Sequence, residues 1–210
     1  MSFPQAIAEN MSLKIDFYRR LGSLAKPECV FASNTSSLRI TDMALASGRP
    51  DRFVGLHFFN PVQIMRLVEV IRTEHTDTVV YDRVKEFGKE LGKTVVSCGD
   101  TPGFIVNRLL VPYLAQAMAM VDRNDASIID IDASMRLGAG HPMGPLELSD
   151  YIGLDTALHI LEGWVHDFPN EHAFFVPKVL RQKVAGGMLG RKSGKGFYKW
   201  EGDKCLHEVV

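Results

Sequence analysis

Over roughly its first hundred residues the chain alternates short apolar runs with amphipathic segments, and this limits the fold more than any other feature. Runs at residues 29–32, 53–58, 67–71 and 94–97 read as strands, rich in β-branched and aromatic side chains. Helical spacing covers residues 4–24 (Ile7, Met11, Ile15, Phe17, Leu21, Leu24), 40–46, and 76–91 (Val79, Val80, Val84, Phe87, Leu91). Strands and helices in alternation predict a largely parallel sheet. After Gly99, Asp100, Thr101, Pro102 and Gly103 the character changes. Residues 104–121 and 144–166 are helical in pattern, with no strand run of comparable strength, which places a domain boundary near residue 100. Residues 137–145 and 186–198, rich in Gly and in Gly or Pro, read as connections.

The 210 residues are 46% hydrophobic, enough for a substantial core in one large or two modest domains. The 24 basic and 25 acidic side chains nearly cancel, and no basic stripe interleaved with aromatics occurs, so nucleic acid and anionic membrane are poor partners. No run approaches the ~20 apolar residues of a membrane span. Cys29, Cys98 and Cys205 are widely spaced, without metal-type pairing such as Cys-x-x-Cys, which suits reduced thiols inside a cell and no metal centre.

The chemistry concentrates in GLHFFNPVQIMRLVEV (55–70). His57 sits where an apolar run breaks into Asn60 and Pro61, a strand ending in a turn. Glu69 is a lone carboxylate among Leu67, Val68, Val70 and Ile71. A carboxylate beside an imidazole fixes its tautomer and stabilises the imidazolium that forms on proton uptake, so the pair reads as acid–base machinery; a core His satisfied by some other neighbour is the alternative reading of the same spacing. One expected string is missing. A dinucleotide-binding half opens with strand, Gly-x-Gly-x-x-Gly and helix, and no such string occurs, so the α/β part looks like the second half of a doubly wound domain.

Six separated strings, ASNTSSL (32–38), GLHFFNPV (55–62), LVEVI (67–71), DTPGFIVNRLL (100–110), GHPMGPLELSDYIGLD (140–155) and GRKSGKGFY (190–198), together resemble the short-chain L-3-hydroxyacyl-CoA dehydrogenase family over nearly the whole chain. The resemblance implies a second half of a Rossmann-type NAD-binding domain at residues 1–99 and an all-α domain at 100–210 for substrate binding and dimerisation. It implies NAD-dependent oxidation of L-3-hydroxyacyl-CoA to 3-ketoacyl-CoA in fatty-acid β-oxidation. His57 would be the base that takes the 3-hydroxyl proton, with Glu69 its partner. Ser36 would meet substrate oxygen and lie near the nicotinamide, and Asn107 would contact substrate. Glu9, Lys14, Asn60 and, from the tail, Lys192 would meet the cofactor. On the residues alone, Ser36 reads as a loop or cap serine, Asn107 as structural, Asn60 as a turn signal and the charged residues as a solvated face.

The resemblance also implies an acyl-CoA substrate, a homodimer through the helical domain, and the mitochondrial matrix, or the cytoplasm in a bacterium. The pattern breaks at the start: AIAEN (6–10) matches a point well inside the family's first domain. The resulting expectation is an N-terminally truncated member with weakened NAD binding, whose activity alone is left open. The alternative is a non-catalytic dimerisation or interaction module derived from the same family.

Overall fold

The computed structural model describes the backbone of residues 2–5 and the whole of residues 9–210. The chain divides into two compact units, Met1–Arg108 and Leu109–Val210.

In the first unit β1 (Ser2–Gln5), β2 (Val30–Ser33), β3 (Phe53–Phe58), β4 (Leu67–Arg72) and β5 (Thr94–Gly99) form one sheet in sequential order. All pairings are parallel except β3 with β4. The exception has a simple cause: residues 59–66 are too few for the crossover of a dozen or so residues that a parallel pair needs. Helices α1 (Met11–Leu24) and α2 (Ile40–Ala46) pack with Phe31, Phe53 and Ile71, burying Tyr18, Ile40 and Met43. Helix α3 (Thr78–Glu90) covers the alternate strand residues Val30, Val54, Leu56, Val68 and Val70. A doubly wound arrangement results, as the alternation predicts.

The helix predicted over residues 4–24 starts later than its apolar spacing implies. Backbone pairing with β2 (Pro4 with Ala32, Gln5 with Ser33) takes residues 2–5 into the sheet. Asn10 then caps α1, its side chain accepting from the Leu13 amide. Ile7, part of the predicted helix, lies outside the described residues.

The second unit holds most of α4 (Val106–Asp122), together with α5 (Ile128–Gly138), α6 (Pro145–Ile152), α7 (Leu154–Asp167) and α8 (Lys178–Ala185). Its core joins Met118, Leu146, Leu161, Trp164, Leu180 and Phe197. The helix predicted over 144–166 breaks at Gly153, whose φ of +107° few side chains tolerate. The glycine-rich tail leads into an antiparallel hairpin, β6 (Tyr198–Glu201) with β7 (Lys204–Val209), that periodicity did not reveal. Buried Asp150 pins it, accepting from the amides of Phe197 (2.8 Å) and Tyr198 (2.9 Å) and from the Trp200 indole (3.0 Å). Among the described residues no helix is long and apolar enough to cross a membrane.

Candidate active site

His57 and Glu69 face each other across β3 and β4 as register partners. Both are almost wholly buried, at 3% and 0% exposure, and His57 Nδ1 lies 2.7 Å from Glu69 Oε2. The other carboxylate oxygen, Oε1, accepts from the amides of Ile105 (3.1 Å) and Val106 (2.9 Å), where α4 begins. Burial alone would raise the Glu69 pKa. The bonds from His57 and from the Val106 and Ile105 amides, together with attraction to His57, outweigh burial and hold the carboxyl below its ordinary range. An ionised carboxylate only accepts, so Nδ1 carries a proton, and in the neutral imidazole Nε2 is the acceptor. The Ser36 hydroxyl lies 3.0 Å from Nε2 and donates to it.

The ring is clamped as well as bonded. Phe59 lies 4.5 Å from it, centroid to centroid, and buried Phe104 lies 5.5 Å away. Phe104 has φ +56°, unusual for an aromatic residue. That conformation follows Thr101-Pro102-Gly103, turn chemistry legible in sequence, although nothing there pointed to contact with His57.

The loop carrying Ser36 is held from several sides. Glu9 accepts from the Ser36 amide (3.0 Å), the Ser37 amide (3.3 Å) and the Thr35 hydroxyl. Thr35 in turn accepts from the Leu38 amide at 3.1 Å. Fully buried Lys14 pairs with Glu9 at 3.4 Å and reaches the Asn34 carbonyl at 3.4 Å. Asn107, in the first turn of α4, donates to the Ser36 carbonyl at 3.2 Å. Asn34 accepts from the Phe58 amide at 3.0 Å, joining the loop to the end of β3. Asn34 and Thr35 lie inside ASNTSSL, yet only the folded loop reveals what they do.

The fold thus gathers Ser36, His57, Glu69 and Asn107 into one network, with Glu9 and Lys14 bracing the serine loop. Asn60 is exposed in the turn after β3, joined to Pro61 by a cis peptide bond. Lys192 belongs to the second unit, where its ammonium pairs with Asp155.

Serine, imidazole and carboxylate in series also form the connectivity of an acyl-transfer triad. That chemistry needs amides aimed at a developing oxyanion. Here the amides of Ser36, Ser37 and Leu38 are occupied by Glu9 and Thr35. The site is therefore an imidazole held by a carboxylate at one nitrogen and met by a hydroxyl at the other, at the carboxyl end of a strand in a doubly wound sheet, where ligands of such sheets bind.

Comparison with known proteins identifies the family. Residues 4–101 match the family model described as "3-hydroxyacyl-CoA dehydrogenase, NAD binding domain", and residues 103–200 match its "C-terminal domain" counterpart. The chain belongs to the 3-hydroxyacyl-CoA dehydrogenase family. It is 54% identical over 198 residues to the mouse (Mus musculus) mitochondrial hydroxyacyl-coenzyme A dehydrogenase, a match covering 94% of this chain and 63% of that protein. It is 49% identical over 196 residues to a probable 3-hydroxybutyryl-CoA dehydrogenase of Deinococcus radiodurans, covering 93% and 70% respectively. The crystal structure of (S)-3-hydroxybutyryl-CoA dehydrogenase from Ralstonia eutropha superposes with a TM-score of 0.91 at 40% identity, covering 95% of this chain and 70% of that one. The chain thus spans somewhat under two thirds of the mouse protein's length.

Proposed function

We propose that this chain carries the acid–base half of an NAD-dependent 3-hydroxyacyl-CoA dehydrogenase, acting between L-3-hydroxyacyl-CoA and 3-ketoacyl-CoA. The observation that carries this reading is the relay from Glu69 through His57 Nδ1 to a free Nε2 capped by the Ser36 hydroxyl. Nε2 takes the proton of the substrate's 3-hydroxyl, and Glu69 stabilises the imidazolium that forms. When substrate binds, the Ser36 hydroxyl turns from Nε2 to donate to the substrate oxygen and holds it within reach of Nε2, while Asn107 orients the serine loop and presents its amide to the substrate. Phe59 and Phe104 keep water from the imidazole, where water would compete for the proton.

NAD, when bound, supplies the hydride acceptor. The Ser36 hydroxyl and the exposed Asn60 amide, in the turn after β3, suit its nicotinamide end. Fully buried Lys14, 3.4 Å from Glu9 and from the Asn34 carbonyl, serves the cofactor through the loop that carries Ser36. Glu9 serves the cofactor by fixing the loop that carries Ser36. Residues 1–99 form the cofactor-binding part, residues 100–210 the substrate and dimerisation part.

A role in fatty-acid β-oxidation and a homodimer through the helical unit accompany this reading. The mouse relative's name supports a mitochondrial setting and the Deinococcus relative's organism a bacterial one. The test is NADH oxidation by the purified chain with a 3-ketoacyl-CoA. A rate above background that disappears in His57→Ala supports the assignment; a rate that survives the substitution, or no rate at any NADH concentration, overturns it for this chain.

A further inference from the structure

Away from His57, in the second unit, three side chains of metal-ligand type converge. Cys205 and His207 are two residues apart on β7, in the stretch where its pairing with β6 shifts register. Glu147 comes from the first turn of α6. One ligand atom from each lies within 4.8 Å of the others. The two neighbours on β7 give a sharper measure: Cys205 Sγ and His207 Nδ1 share a hydrogen bond at 3.7 Å, whose proton a metal would replace. With Zn–S near 2.3 Å and Zn–N near 2.0–2.1 Å, a tetrahedral ion separates these atoms by about 3.6 Å. The pair is therefore already spaced as two vertices of a zinc tetrahedron.

We propose that Glu147, Cys205 and His207 form a binding site for a zinc-type divalent ion, with water at the fourth position. The donor set is one thiolate, one imidazole and one carboxylate, a mixture that suits Zn²⁺ and disfavours the all-oxygen cations Ca²⁺ and Mg²⁺. Glu147 also pairs through Oε2 with Arg136 at 3.2 Å, and a carboxylate has two oxygens with which to serve both partners. His207 holds a left-handed backbone with φ +53°, a conformation His adopts more readily than most side chains, and its ring stands edge-on to Tyr198 at 5.7 Å. Burial raises the Cys205 pKa; the carboxylates of Glu147, Asp150 and Asp132 add to this, against a backbone hydrogen bond involving His207. The thiol proton therefore leaves as the metal binds. Cys205 and His207 lie beyond residue 200, where the match to the family model ends, and Glu147 lies inside it. The bound ion ties the β6–β7 hairpin to the start of α6.

The experiment is Co²⁺ and Zn²⁺ titration of the full chain after treatment with a chelator. Co²⁺ should give a thiolate-to-metal charge-transfer band at one equivalent, Zn²⁺ should abolish it by displacement, and Zn²⁺ should raise the thermal midpoint. Cys205→Ser should remove the band, and His207→Ala should weaken Zn²⁺ affinity by about a hundredfold or more, because losing a direct ligand costs at least as much as losing an outer-shell partner. Cys98→Ser should change neither. No charge-transfer band, or a band that persists in Cys205→Ser, overturns the proposal. Circular dichroism of each variant confirms that the fold is retained.

Discussion

His57 and Glu69 stand directly opposite each other across the one antiparallel pair of an otherwise parallel sheet, and a 2.7 Å bond between Nδ1 and Oε2 links them. Because both sit on strands of one sheet, the geometry of the pair is set by the sheet itself. Glu69 is fixed a second time by two amides at the start of α4.

Glu69→Gln keeps a side chain of the same shape while removing the charge that stabilises an imidazolium. We expect kcat for 3-ketoacyl-CoA reduction to fall by about 10² or more, within the range general acid–base catalysis supplies, with KM little changed. Steady-state kinetics at saturating NADH would show it; an unchanged kcat would falsify the role of Glu69.

Ser36→Ala removes the hydroxyl from His57 Nε2 but leaves the loop anchored through Glu9, Thr35 and Asn107. Its rate should drop by about 10-fold to 100-fold, the effect of losing two hydrogen bonds worth roughly 0.7–1.4 kcal/mol each. Far-UV circular dichroism should not move. A variant that unfolds instead would show that Ser36 acts as a structural cap.

Acid should weaken the pair in a defined direction. The Glu69 carboxyl is depressed in the folded protein relative to its ordinary 4.5. It therefore contributes stability that is complete above that value and is lost as pH falls through the folded one. Buried Asp150 is raised, since burial there outweighs its hydrogen bonds and the Lys183 charge, so its contribution has the opposite sign. Urea midpoints of the parent and Glu69→Gln, followed downward from pH 6, should converge below pH 4.5. A constant gap would show that Glu69 does not titrate as described.

Asp150→Ala strands two buried amides and an indole N–H. At ~1–3 kcal/mol for each unsatisfied donor, the loss should be about 3 kcal/mol or more. Gly196→Ala should destabilise comparably, because an added Cβ would lie 1.9 Å from Asp150 Oδ1. Denaturant unfolding monitored by Trp200 fluorescence would register both, and full stability in either variant would remove Asp150 from its place at the centre of the hairpin.

The alternation of strand and helix was legible because apolar spacing of two or about 3.6 is written locally, and α2, α3 and α4 lie close to where that spacing put them. Glu69 stood out as a lone carboxylate among aliphatics, and Ser36, His57 and Asn107 stood in recognisable strings. The start of α1 was not legible, since a backbone ladder to β2 leaves no mark on side-chain spacing. Nor was the β6–β7 hairpin, whose anchor, Asp150, is about fifty residues away in sequence.

By itself the sequence determined which segments could bury a face and which side chains could hold or move a proton. Tertiary structure decided the antiparallel turn between β3 and β4, which makes Glu69 the partner of His57, and the packing that sets Phe104 and the α4 amides around them. It also decided that Glu147 meets Cys205 and His207. Distances between residues far apart in the chain depend on how the elements pack, and no local pattern of side chains encodes that packing.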